Sequence, residues 1–147
     1  MDTSSLQQTL EACAAQYTTG SIKQVQPLVE HYNGSDWKTY IRPTDEPFLK
    51  HTVFHNDAFE AVLIQWKAGF ATDFHAHPSN GCILKVLDGT LKETVKSECE
   101  TTDATHTPSA TSYMHDSKGV HKVTAITDAT SLHIYAPPGF YDPSSFA

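Results

Sequence analysis

The sequence predicts a mainly β protein, an antiparallel sandwich or barrel behind a short amino-terminal helical segment, and three observations carry that prediction. From about residue 47 the chain falls into short runs rich in β-branched and aromatic residues, bounded by Asp, Gly, Asn or Pro, with no helical pattern between them. Residues 1–35 instead carry apolar side chains at helical spacing. A length of 147 residues suffices for one domain with its own core, and no internal repeat marks a second. The expected organisation is a single domain over 1–147, with helices in 1–35 and the β-barrel over about 47–138.

In chain order, Ser4 and Gln7 can form a capping box, after which Leu6, Leu10, Cys13, Ala14 and Tyr17 share one face until Gly20. Ser21 opens a second short helix carrying Val25, Leu28, Val29 and Tyr32, with Pro27 in its early turn and Asn33-Gly34 at its end. Cys13 on such a face reads as a small buried apolar group. Strands are expected over 50–54, 59–66, 72–77, 82–87, 90–96, 110–114, 121–125 and 131–135. Asp88-Gly89, between two of these, signals a hairpin. The polar, Thr-rich stretch 96–109 reads as an exposed connection, with Cys99 a surface thiol.

Composition removes several classes of function. Ten basic residues stand against 17 acidic ones, for a net charge of −7, and Arg42 is the one arginine. Nucleic-acid binding is not expected, because phosphate contacts need clustered Lys and Arg. No apolar stretch approaches membrane-spanning length. The three cysteines are irregularly spaced and MDTSSLQQ lacks the features of a signal peptide, so a reducing cytoplasmic setting is the expectation.

The chemistry begins with GFATDFHAHPSNGCILKVLDG, residues 69–89. In an extended strand His75 and His77 would project the same way, close enough to grip one ion. His-x-His pairs also arise by chance, so the pair needs company. His121, which opens a strand after turn residues, is a third donor; without the pair it would read as a surface histidine. In Ser131-Leu-His-Ile-Tyr135, the residues Ser131, His133 and Tyr135 share one face. Buried together they must satisfy one another, either as a hydroxyl, imidazole and phenol relay or as a hydrogen-bonded core without a catalytic part.

At this point the chain resembles a known family. Residues 69–89 follow the cupin pattern of glycine, five residues, His-x-His, four residues, glutamate, six residues and glycine, except that Cys82 replaces the glutamate. This is similar to the thiol dioxygenases and most closely to the cysteine dioxygenases. CILKVLDGTLKET, the Tyr-x-x-Asp-Ser-x-Gly-x-His segment ending at His121 and Ser-Leu-His-Ile-Tyr-Ala-Pro-Pro fall at corresponding spacing, and the resemblance covers about residues 37–138.

The resemblance implies a jelly-roll-like cupin barrel and a mononuclear non-haem iron enzyme that oxidises L-cysteine with O2 to cysteine sulfinate. It assigns His75, His77 and His121 as Fe(2+) ligands and Cys82 with Tyr135 as a thioether crosslink. His133 would hydrogen-bond the tyrosine hydroxyl, with Ser131 behind it, and Trp66 would line the pocket. The family's carboxylate-binding arginine falls thirteen residues after a tryptophan; counting from Trp37 lands on Lys50, a mobile point charge and no planar fork. Phe48 stands where the family has a tyrosine. Arg42 could take the arginine's role if the loop to Lys50 is rearranged, although a plain exposed arginine is the simpler reading. Ala125 stands where the second cupin motif has an asparagine, and the chain given ends at Ala147, short of the family's carboxy-terminal extension, so a more open pocket mouth is expected.

The partners expected are therefore a small-molecule thiol and O2, with no nucleic acid, no membrane and a monomeric state. Two alternatives remain at this stage. One is the same chemistry on another small thiol, such as 3-mercaptopropionate or cysteamine. The other is a metal-binding cupin without turnover, acting as a sensor.

Overall fold

A computed structural model describes residues 5–139. The first helix, α1, spans Leu6–Gln16 and buries Leu6, Thr9, Leu10 and Cys13. Its capping box is formed by Ser5 and Gln8; the expected Ser4 cap lies outside the described residues. The sequence SSLQQ contains two overlapping Ser-x-x-Gln frames, and the observed one places Leu6 at the first helical position, where it is fully buried. Ser21 caps a 3-10 turn over Ile22–Val25, which runs directly into α2, Gln26–His31, with Pro27 in its first turn. There the missing proline N–H costs no helical bond.

Among the described residues eight strands follow: β1 Phe48–His55, β2 Glu60–Trp66, β3 Cys82–Asp88, β4 Leu91–Lys96, β5 Thr101–His106, β6 Thr111–Met114, β7 Val120–Ala125 and β8 Ala129–Tyr135. They form an antiparallel five-stranded sheet in the order β1-β2-β8-β3-β6 and a three-stranded sheet in the order β5-β4-β7. The mainly β class with an amino-terminal helical segment is thus the observed one, while the expected β-barrel takes the form of two facing sheets that no strand pairing closes among the described residues.

The five-stranded sheet is buried on both faces. Ala61, Leu63, Ile83, Leu132 and Ile134 alternate onto one face and pack with Leu6, Leu10, Ile22, Val25 and Val29 of the helical segment. Val62, Ile64, Trp66, Leu84 and Val86 alternate onto the other, where they meet Leu91, Val123 and Ala125 of the smaller sheet. Period-two alternation therefore assigns each residue to the helical side or to the space between the sheets. Each large apolar side chain buried in this way contributes about 1.5–3 kcal/mol of transfer free energy.

Lys85 is the exception on the helical side. It is buried, and its ammonium donates to the carbonyls of Val29 at 3.0 Å and Glu30 at 2.9 Å. A cation thereby satisfies acceptors in the last turn of α2, where the helix dipole favours it.

Three local expectations differ from the fold. Residues 72–77 form no strand; only Ala71 and His75 make isolated bridges, to Thr124 and His121. Pro78, following His77, has no N–H to extend such a ladder. Asp88-Gly89 makes no hairpin, since β3 and β4 belong to different sheets. The turn crosses from one sheet to the other: Gly89 has φ +79°, and a Cβ there would meet the Asp128 carbonyl oxygen at 2.2 Å. Finally, the stretch read as an exposed connection contains β5, an exposed edge strand whose polar residues on both faces conceal its alternation.

Candidate metal centre

His75 and His77 reach the site from irregular backbone between β2 and β3, and His121 reaches it from β7. A backbone clasp joins them: His75 N–H donates to the His121 carbonyl at 2.9 Å and His121 N–H returns a bond to His75 at 3.3 Å. The loop is thus tied to the strand at the ligand position itself. Gly69, with φ +92°, lets the chain leave β2 and begin this segment, where its N–H donates to the Ala125 carbonyl. The ligating atoms of His75, His77 and His121 all lie within 4.8 Å of one another. His77 and His121 are buried and His75 is half-buried.

The tautomers follow from the partners. His75 Nδ1 lies 2.9 Å from the Asp73 carbonyl oxygen, which only accepts, so Nδ1 carries the proton. His121 Nδ1 lies 2.6 Å from Glu93 Oε2. Burial would raise the Glu93 carboxyl, but hydrogen bonds from His106 and His121, the charge of His121 and the Ser112 hydroxyl hold it well below the usual carboxylate range. Glu93 is therefore an acceptor, and His121 Nδ1 donates to it. In the neutral rings both Nε2 atoms then present lone pairs to each other, 3.0 Å apart. Lone pairs at that distance repel unless positive charge lies between them.

A proton on His75 does not resolve the contact easily. Burial, followed by the charge of His121, pushes His75 down to about 4. A divalent cation does resolve it, since imidazole nitrogens about 2.1 Å from one ion at a right angle would stand about 3.0 Å apart. The three donors converge without a carboxylate among them, and the described residues fit a metal ion.

Beside this cluster lies a narrow cavity of about 10 Å³, room for about one water. Part of its lining is aromatic: the Phe48 and Trp66 ring centroids stand 4.9 Å apart, and Phe70 stacks against Phe48 at 5.0 Å. The same sheet face carries Cys82, His133 and Tyr135 further along the cavity lining. Cys82 on β3 and Tyr135 on β8 are direct cross-strand partners, each 3% exposed, so both side chains share one face of the sheet. Burial, then the charge of Glu93, pushes the Cys82 thiol well above its usual range, keeping it protonated.

Ser131, His133 and Tyr135 share that face of β8, as their spacing predicts, and all are buried. Trp66 Nε1 donates to Ser131 Oγ at 2.8 Å, and Ser131 Oγ lies 2.7 Å from His133 Nε2. Because an indole N–H only donates, the serine oxygen accepts from Trp66, and it shares a second hydrogen bond with His133 Nε2. Burial, then the charges of His121, Lys50 and His75, pushes His133 down to about 3, so the ring is neutral. The His133 and Tyr135 ring centroids stand 5.9 Å apart.

Lys50 pairs with Ile64 on β2, and Phe48 pairs with Trp66; cross-strand partners share a face, so Lys50 lies on the cavity side of β1, one pleat beyond Phe48. It is half-buried, and its charge lowers both His75 and His133. Arg42 lies elsewhere. It is exposed, its backbone is tied to the Gln65 side chain at 3.3 and 2.7 Å, and it lines a separate surface pocket with Asp88 and Asp128.

Sequence reasoning missed Glu93. It occupies an inward position between Leu91 and Val95 on β4, and its carboxylate also accepts from His106 at 2.9 Å and Ser112 at 2.8 Å. The available signal was an acidic residue where the alternation calls for an apolar one.

Comparison with known proteins agrees with this geometry. A rmlc-like cupin protein from Desulfovibrio desulfuricans superposes with a TM-score of 0.56 at 26% identity, covering 67% of this chain and 90% of that one. A Thermus thermophilus protein matches with a TM-score of 0.58 at 21% identity over 72% of this chain and 98% of that one, which speaks to fold alone. Cysteine dioxygenase type 1 of Rattus norvegicus is 30% identical over 132 residues, 80% of this chain and 66% of the relative. The chain thus spans just under two thirds of the length of the curated relatives it matches. Residues 3–142 match the model of the family described as cysteine dioxygenase type I, and the chain belongs to that family.

Proposed function

We propose that the protein is a mononuclear non-haem iron thiol dioxygenase that oxidises L-cysteine with O2 to cysteine sulfinate. The observation that carries this reading is the convergence of His75, His77 and His121, with no carboxylate in the ligand set, beside the cross-strand pair Cys82 and Tyr135. Bound Fe(2+) would supply a doubly charged centre that ionises a coordinated thiol and activates dioxygen beside it.

The chain's own residues do the rest. His75, His77 and His121 hold the ion. Phe48 and Trp66, backed by Phe70, exclude water from one side of the cavity. Lys50 supplies a cation for the substrate carboxylate, fixing the sulfur by orientation. Tyr135 donates a hydrogen bond to the oxygen being transferred, with Trp66, Ser131 and His133 aligned behind it on the same wall. Cys82 and Tyr135 form a thioether by losing two hydrogens, with dioxygen as the oxidant, and the link restricts the phenol ring.

A second reading keeps the chemistry and changes the thiol. Lysine is a mobile point charge where arginine would be a bidentate fork, so 3-mercaptopropionate and cysteamine are the competing substrates. Oxygen uptake by the iron-loaded protein with each of the three thiols tests the choice. The proposal expects cysteine to be fastest and cysteamine, which lacks a carboxylate, to be slow. Equal rates on all three would remove Lys50 from substrate binding, and no uptake on any by a fully metallated sample would overturn the reading.

A further inference from the structure

Glu93 does not belong to the set of three convergent donors, yet it is the most heavily engaged carboxylate around them. It is 4% exposed, and each of its oxygens is committed. Oε2 accepts from His121 Nδ1 at 2.6 Å, while Oε1 accepts from His106 Nε2 at 2.9 Å and the Ser112 hydroxyl at 2.8 Å. Those partners come from three strands: β7 for His121, β5 for His106 and β6 for Ser112. Because β6 belongs to the five-stranded sheet, Glu93 also ties the two sheets together beside the cavity.

Burying a carboxylate is costly unless it is paired, so a residue held in this way implies work that an apolar side chain in the same slot would not do. The work is visible in the contact itself. A metal-binding histidine is oriented by whatever receives its other N–H, and a carboxylate receiver also makes the imidazole more basic. Three neutral imidazoles bring no charge of their own to a divalent ion.

We propose that Glu93 is a positioning residue of the metal centre: pinned by Ser112 and His106, its carboxylate fixes His121 with Nε2 toward the cavity and supplies, at one remove, negative charge that the three imidazoles lack. This rests on the metal-centre reading above. His106, the outermost member with 15% side-chain exposure, connects the carboxylate to the protein surface.

Glu93→Gln tests the inference, because it keeps the shape and an acceptor oxygen while removing the charge. Thermal unfolding of the metal-free variant reports folding, chelator competition reports ferrous affinity, and electrochemical titration of the iron-loaded protein reports the ferric/ferrous midpoint potential. Ferrous affinity is expected to fall about 10–100-fold, the usual effect of removing such a partner, and the potential to rise. Glu93→Asp, which restores the charge, should bring the potential part of the way back. Should Glu93→Gln fail to fold, Ser112→Ala reads the same property without touching a ligand: with one donor gone, Glu93 leaves more charge for His121 and the potential moves down. Unchanged affinity and potential in a folded Glu93→Gln, or an unmoved potential in Ser112→Ala, would overturn the inference. Wild-type protein that takes up no iron would instead overturn the metal-centre reading on which it rests.

Discussion

Strand β8 has two faces that are buried almost equally and serve opposite ends. Leu132 and Ile134 point toward the helical segment with 0% exposure; Ser131, His133 and Tyr135 point toward the cavity with 0–5%. The apolar face needs only shape. The polar face needs partners for every donor and acceptor, and the structure supplies Trp66 to Ser131 and Ser131 to His133. Burial alone therefore does not mark function; the chemistry that has been buried does. A slip of one residue in register would exchange the faces, which is why β8 sits between two partners, β2 and β3.

Paired substitutions should separate the faces most clearly. Leu132→Ala is expected to cost about 2–5 kcal/mol in urea unfolding, with the iron affinity of the folded protein unchanged. His121→Ala should show the reverse, losing more than about 100-fold in ferrous affinity, beyond the range for a partner of a ligand, with a smaller loss of stability. Iron lost in Leu132→Ala at full folding would break the comparison. Ser131→Ala tests the polar face itself. It strands the buried Trp66 N–H at a cost of about 1–3 kcal/mol and should lower turnover while bound iron stays constant.

Lys50→Ala is expected to raise KM for cysteine about 10-fold, roughly 1.4 kcal/mol, and to leave cysteamine unaffected. A matching rise for cysteamine would point to a structural role for Lys50.

The smallest expected effect is on pH dependence. Burial depresses His133 to about 3 and His75 to about 4, whereas the same groups in the unfolded chain titrate near 6.5. Between those values the unfolded state binds protons that the folded state refuses. Stability of the metal-free protein is therefore full above pH 6.5 and falls as pH is lowered through that window. His133→Gln should flatten the decline between pH 7 and 5, as measured by denaturant midpoints.

Much of this was legible in the sequence, and the misses have physical causes. Alternation assigned Ser131, His133 and Tyr135 to one face of β8, and regular strand spacing gave the fold class. The His75-x-His77 pair was found by treating residues 72–77 as a strand, but Pro78 and the sparse pairing leave that segment irregular, and the backbone clasp to His121 gathers the donors instead. The clasp joins residues 46 positions apart, which spacing along the chain does not reveal. Residues 101–106 were hidden by their polarity: an edge strand exposed on both faces has no hydrophobic alternation to read. Glu93 was overlooked because its partners His106 and Ser112 lie on other strands, although an acid between Leu91 and Val95 was itself a signal.

In the proposed chemistry three histidines hold an iron that delivers dioxygen to a thiol. Turnover of L-cysteine by the iron-loaded protein under ¹⁸O2, with the product read by mass spectrometry, tests it most directly. Cysteine sulfinate carrying the label in both new oxygens, formed mole for mole with the oxygen consumed, is the expected product. A fully metallated protein that leaves cysteine unoxidised, or yields only cystine, would contradict it.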